Sequence, residues 1–201
     1  MKTAGKTPGG HDSEPGYYIL DAPIKKGGRP MPASETIVAV AFGANRDNPV
    51  ATIEQAADNL RRLALPDLRL APFYETRPVD CIPGTPPFIN TVGIGTTSLS
   101  PGKLLDTCKA IEVQLGRPPR HDSGAARQID LDIVLWDDRE VRIPGLVIPH
   151  PRFTERLFVL VPLADLAPDW SIPGLGQTVG ERAAALRERA DPGWGRRLEP
   201  A

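Results

Sequence analysis

Cysteine is nearly absent, with only Cys81 and Cys108 in 201 residues. Two thiols are too few for a disulfide framework, and neither has the His or Cys neighbours that zinc requires, so a reducing compartment is expected. A surplus of one charge is missing too. Lys and Arg number 24 against 25 Asp and Glu, for a formal net charge of -1. No general basic field therefore draws the chain to nucleic acid or an anionic membrane, and any polyanion site has to be local. No stretch approaches the ~20 apolar residues of a membrane span. Lys2 and Lys6 are followed by Gly, Pro, His and Asp rather than the apolar core of a secretory signal, so a soluble cytoplasmic protein is expected.

What the chain has in plenty is proline and glycine, 23 and 19 of them, and their placement divides it. Residues 1–35 hold Gly9-Gly10, Pro15-Gly16, Gly27-Gly28, Pro30 and Pro32 with few apolar side chains, and read as a flexible tail. Tyr17-Tyr18-Ile19-Leu20 is an apolar island in it that can dock on the domain or on a partner. One domain over residues 36–192 follows, with 193–201 as a fraying C-terminal tail.

Within the domain, Thr36–Phe42 is a β-branched run that reads as a buried first strand, ending at Gly43-Ala44-Asn45. Asp47, Asn48 and Pro49 supply cap chemistry for a helix on which Ile53, Ala56, Ala57 and Leu60 recur. Leu68–Thr76 reads as a second strand running into a proline-rich loop, Arg77–Pro87, too stiff for a helix. Phe88–Thr97 is the third strand, its glycines either weakening it or letting something approach its backbone. Ser100-Pro101 opens a helix with Leu104, Cys108, Ile111 and Leu115 on one face and Gly116 at its end. A polar linker leads into a strand reaching Trp136, with Glu140–Ile143 pairing back on it as a hairpin arm. Leu157–Leu166 and Thr178–Arg189 are two further helices. The order β, α, β, β, α, β matches an α+β, ferredoxin-like core, an antiparallel sheet with helices on one face plus C-terminal helical additions. The other face is left open for a site.

Asp130 and Asp132 stand in a run of Ile, Leu and Val where carboxylates serve no stabilising purpose. Strand alternation puts both on one face and Ile129, Leu131 and Ile133 on the other. Two ionised carboxylates that close call for bound cations or for arginines from elsewhere. Mg2+ is usually held by one or two carboxylates with substrate phosphates completing its shell, so the pair points to a nucleotide. Arginines merely balancing the aspartates are the plain alternative. Asn90, an amide in an apolar strand, also asks for a partner.

Several segments carry a resemblance in order and spacing: Phe42-Gly43-Ala44-Asn45, Phe73-Tyr74-Glu75-Thr76-Arg77-Pro78-Val79, Pro87-Phe88-Ile89-Asn90, Ile111–Arg117, Arg127-Gln128-Ile129-Asp130-Leu131-Asp132 and Ile148-Pro149-His150-Pro151-Arg152. Over about residues 36–170 the chain resembles the 6-hydroxymethyl-7,8-dihydropterin pyrophosphokinases of folate synthesis, which use the fold inferred above. The resemblance implies transfer of pyrophosphate from ATP to the hydroxymethyl oxygen of the pterin, with AMP leaving. It implies Arg117, Arg127, Asp130 and Asp132 as catalytic, with two Mg2+ ions between the aspartates. Lys109, Glu112, Arg117, Arg127, Ile133, His150 and Arg156 fall around ATP. Phe88 and Phe158 stack on the pterin, Asn90 reads its edge, and Thr76 and Val79 line it. Gly43 and Asn45 shape the floor. Arg120 and Arg152 are extra phosphate contacts or plain surface arginines, and Lys109 with Glu112, a helical turn apart, can also simply pair on the surface.

The chain departs from the family at Gly124-Ala125-Ala126, where many members carry a tryptophan and a glycine-proline, so an aromatic lid is missing there. His121 is a candidate flat substitute. Arg77 stands where a small, acidic or proline residue is common. An RNA-binding module is opposed by the -1 charge and by the lack of aromatics on basic strands. A two-metal nuclease would want a further acidic cluster. The expected partners are ATP and the pterin, not nucleic acid or membrane, with the chain a monomer and a dimer the alternative.

Overall fold

In the computed structural model, residues 18–19, 35–117 and 127–199 are described. The expectations for Arg120, His121, Gly124-Ala125-Ala126 and most of residues 1–35 lie outside them.

Helix starts follow the cap chemistry. The Asn48 side chain accepts from the Ala51 N–H and Pro49 opens α1 (Pro49–Leu63); Ser100 accepts from Lys103 N–H and Pro101 opens α2 (Pro101–Gln114). Around them run β1 (Tyr18–Ile19), β2 (Thr36–Ala44), β3 (Arg69–Leu70), β4 (Tyr74–Thr76), β5 (Phe88–Thr97), β6 (Asp130–Trp136), β7 (Val141–Ile143) and β8 (Leu146–Ile148). A short 3-10 turn at Phe153–Glu155 precedes α3 (Leu157–Leu166) and α4 (Val179–Arg187), and β9 (Gly195–Arg197) follows. Thr178 and Glu181 cap α4 reciprocally, a capping box.

The main sheet is antiparallel in the order β6-β2-β5-β4-β9, with β3 also on β5. Alternate residues of β2 split the core. Val38, Val40 and Phe42 pack with Ile53, Leu60, Leu104 and Ile111 of α1 and α2, whereas Ala39, with Val92 and Ile94 of β5, meets Leu160 and Leu163 of α3 and Val179 of α4. α1 and α2 therefore share one face, and α3 and α4 cover part of the other, which was expected to stand open. Leu157–Leu166 is too apolar to be left beside an uncovered sheet and takes the second face itself. What remains open there is the end of the sheet where β6, β2 and β5 carry Asp130, Gly43 and Asn90.

Two further expectations are corrected. Val141–Ile143 pairs with β8 and with β1 in a separate three-stranded sheet rather than on β6, the chain between them making an isolated Trp136–Arg139 bridge. The C-terminal tail from residue 193 is not frayed throughout, because Gly195–Arg197 adds to β4 and extends the domain's own sheet past residue 192. The apolar island contributes β1, paired by Tyr18 and Ile19 to Arg142 and Val141.

The glycines of β5 let neighbours in. A Cβ at Gly93 would lie 2.7 Å from Leu68 Cδ1 and 3.1 Å from both Leu70 Cδ2 and Phe42 Cε2. The chain thus packs side chains onto bare backbone at that point. Gly93→Val should destabilise the fold by about 2 kcal/mol through overpacking, read as a lower urea midpoint at unchanged slope; an unchanged midpoint would show the contact to be loose.

Candidate active site

β6 is an edge strand, and its Leu131 N–H points away from β2 to Glu112 Oε1 at 2.8 Å. Glu112 is only 2% exposed, and it also takes Lys109 Nζ at 2.8 Å and Arg117 Nη1 at 2.7 Å. A surface pair with Lys109 is therefore not what Glu112 makes. It is a buried anchor that holds α2 to β6 and fixes Arg117, whose guanidinium goes on to Asp130. Arg127 Nη1 closes on the other oxygen of Asp130. Burial alone would raise the Asp130 carboxyl, but the charges of Arg117 and Arg127 outweigh it and hold it below the usual range.

Asp132 is in the opposite condition. No ion pair reaches it among the described residues. Burial first, and the Asp130 charge second, push its carboxyl above the usual range. Its neighbour His150 is placed by a bulge: Ala39 pairs with Leu135 and Val40 with Ile133, leaving Val134 extra, and the Val134 carbonyl accepts the His150 N–H at 3.0 Å. His150 Nδ1 accepts from Arg152 N at 3.3 Å, which leaves Nε2 as the donor in the neutral ring, and burial lowers its pKa.

One row of paired residues crosses the open face: Asp130 opposite Gly43, Gly43 opposite Asn90, and Asn90 opposite Tyr74. Gly43 leaves the floor bare between carboxylate and amide, since a Cβ there would sit 3.0 Å from Asn90 Oδ1. Asn90 donates to Thr76 Oγ1 at 2.7 Å. Asn45 ties the walls together: its Oδ1 accepts Arg127 N at 2.7 Å and its Nδ2 donates to the Pro86 carbonyl at 3.1 Å.

These groups surround a cavity of about 380 Å³. Of the residues singled out from sequence, Thr76, Val79, Phe88, Asn90, Arg127, Asp130, Asp132, His150, Arg156 and Phe158 line it, as do Gly43 and Arg152. Arg117 stands behind Asp130. Lys109, Glu112 and Ile133 do not line it: the first two sit on α2, and Ile133 is 2% exposed in the core beneath the helices, on the strand face opposite the aspartates. Arg77, Asp80, Cys81, Val134 and Phe153 also line it and went unassigned as site residues. Only the proline loop's stiffness hinted at the first three. Arg152 pairs with Asp80 at 2.6 Å across the mouth.

The cavity suits anions and a divalent cation. Among the described residues the buried Nε atoms of Arg127 and Arg156 have no hydrogen-bond partner, although the Arg156 guanidinium lies 5.6 Å from the Phe158 ring centroid. No cluster of three or more metal-ligating side chains exists among the described residues, so the protein offers two carboxylates rather than a cage. That donor set fits Mg2+ completed by phosphate oxygens.

The sequence profile of the 7,8-dihydro-6-hydroxymethylpterin-pyrophosphokinase family matches residues 39–168. The chain belongs to this family. It is 40% identical over 151 residues to the 2-amino-4-hydroxy-6-hydroxymethyldihydropteridine pyrophosphokinase of Pseudomonas aeruginosa, covering 74% of this chain and 90% of that one. The Synechocystis enzyme of the same name is 41% identical over 111 residues, 55% of each chain. The wild-type Plasmodium falciparum HPPK-DHPS with pterin and p-hydroxybenzoate shares the fold at a TM-score of 0.64 and 16% identity, over 82% of this chain and 47% of that one.

The raised Asp132 carboxyl has a direct consequence for stability. A carboxyl raised in the folded state costs no stability below the unfolded value of ~3.9, and the cost grows as pH rises from there until it is complete above the folded pKa. Asp132→Asn should therefore melt higher than the parent at pH 7 without added metal. The advantage should close as pH falls toward 4. A variant equally or less stable at pH 7 would overturn the assignment.

Proposed function

We propose that this chain transfers pyrophosphate from ATP to the hydroxymethyl oxygen of 6-hydroxymethyl-7,8-dihydropterin, releasing AMP. The observation that carries the reading is the single row across the sheet that sets Asp130 two strands, ~10 Å, from Asn90 with only Gly43 between them. One side of the cavity suits a polyphosphate and the other a flat heterocycle.

On the heterocycle side, Phe88 and Phe158 supply apolar faces, while Asn90, its amide nitrogen already on Thr76, keeps Oδ1 to accept from a ring N–H. A ring lacking that donor would leave a buried oxygen unpaired, which is a source of selectivity. On the phosphate side, Arg127 and Arg156 have guanidinium nitrogens to offer, and the Nε2–H of His150 can reach a phosphate or ribose oxygen. Asp130 and Asp132 would hold Mg2+ together with ATP, and the ion would supply charge neutralisation to the triphosphate. Arg117 and Arg127, closed on Asp130, would also offer guanidinium nitrogens to phosphoryl oxygens in the same reading. Positioning and charge control supply most of the catalysis.

Two ions are expected rather than one, because attack at the β-phosphorus needs charge control across the whole triphosphate. The β6-β2-β5-β4 order supports reading the core as a split βαβ, ferredoxin-like unit. No described helix is long and apolar enough to cross a membrane, and we read the protein as a cytoplasmic monomer. Lys109 and Glu112 serve the nucleotide through Arg117 rather than by direct contact in this reading, and Ile133 can offer it only backbone.

The test is incubation with ATP, Mg2+ and 6-hydroxymethyl-7,8-dihydropterin, with AMP rather than ADP as the expected nucleotide product. Asp130→Ala and Asp132→Ala should each lower the rate at least ~1,000-fold with circular dichroism unchanged. ADP as product would overturn the reaction, and undiminished turnover in either variant would overturn the metal assignment.

A further inference from the structure

The C-terminal strand lies outside the residues matched to the family, yet it is built onto the wall of the cavity. Gly195 pairs with Thr76, Arg196 with Glu75 and Arg197 with Tyr74. Backbone bonds continue at both ends, from Arg77 N to the Trp194 carbonyl at 3.4 Å and from Leu198 N to the Phe73 carbonyl at 2.8 Å. Without β9, three-residue β4 would be a sheet edge held from one side only.

The contacts are specific to the point where strand becomes loop. A Cβ on Gly195 would lie 2.9 Å from the Glu75 carbonyl oxygen and 3.0 Å from Thr76 Cγ2, so only glycine lets β9 approach this closely. Arg77 lies over Gly193, where a Cβ would come within 2.6 Å of Nη2, and its Nη1 pairs with Asp191 at 3.2 Å. Asp191 Oδ1 in turn accepts the Gly193 N–H at 2.7 Å. Trp194 stacks on Tyr74 with centroids 6.0 Å apart, and Tyr74 donates to Asp165 of α3 at 2.7 Å. The turn is thereby fixed to the helix layer as well as to β4.

We propose that Asp191–Arg197 is a positioning element for the heterocycle wall: by clamping Thr76 and Arg77 it sets the Thr76 hydroxyl that orients Asn90 and the root of the loop over Val79. This rests on the pterin reading of the site and deepens it. Its contacts among the described residues fall on Phe73–Arg77, on the heterocycle side, so its effect falls on the pterin rather than on ATP. A merely structural strand would instead alter stability or both substrates together.

The experiment measures AMP formation by the full chain with each substrate varied in turn, alongside thermal melting. Gly195→Val, which forces β9 off Thr76, should raise KM for the pterin about tenfold while KM for ATP stays within about twofold. Asp191→Ala, an exposed change that leaves the fold intact, should raise it about threefold, with Asp191→Glu restoring the parent value. Unchanged pterin KM in Asp191→Ala or in folded Gly195→Val, or a parallel rise for ATP, overturns the proposal. Failure of Gly195→Val to fold leaves the decision to Asp191→Ala and its rescue. A parent chain that makes no AMP overturns the underlying reading and this one with it, an outcome distinct from the others.

Discussion

Glu112 is the group on which the rest of the phosphate side depends. A carboxylate 2% exposed is tolerable only when both its oxygens are engaged, and here a lysine, an arginine and the Leu131 N–H engage them. One of those donors belongs to the edge strand, so satisfying the charge and docking α2 on β6 are the same event. Edge strands leave a row of unpaired N–H and C=O groups. This one spends an outward N–H on the residue that aims Arg117 at Asp130, and the edge becomes the wall of a site.

From that anchor the charges run in sequence: Glu112, Arg117, Asp130, Arg127. Each interior charge is neutralised by its neighbours, which is why Asp130 stays ionised despite burial. The chain of pairs stops short of Asp132. Replacing that carboxylate with an apolar residue would relieve the repulsion from Asp130, so the residue is held at a cost to the protein without ligands. Local conflict of this kind is expected where function, not folding, sets the residue.

Much of this was legible in the residues, and unevenly. The caps at Asn48 and Ser100 fixed where two helices begin, because capping is local chemistry. Alternation correctly put Asp130 and Asp132 on one face, yet it could not reveal the bulge at Val134, which depends on the register of β2 and brings in His150. The helices on both faces were missed because a uniformly apolar segment such as Leu157–Leu166 has no polar side to say which way it packs. β9 was missed for a related reason. Gly195–Arg197 has no strand pattern of its own, and its place comes from Tyr74–Thr76 together with the glycine that lets it approach. The burial of Glu112 was equally hidden, since helical spacing reports the Lys109 neighbour and not the strand edge beyond.

The two sides of the cavity are joined by a residue that contacts neither end of the row. Asn45 accepts from Arg127 N and donates to the Pro86 carbonyl, so the entry to β6 and the end of the proline-rich loop are spaced by one side chain. It is 7% exposed, and an amide that buried gives up two partners if it shifts. The distance between arginine and loop is therefore set by the dimensions of one amide rather than by two independent walls. Gly43 imposes the complementary limit two residues earlier, where any side chain would crowd the Asn90 oxygen. The short stretch from Gly43 to Asn45 thus sets both the open floor and the span of the site, which makes the end of β2, rather than the aspartate strand alone, the reference from which phosphate and heterocycle sides are measured.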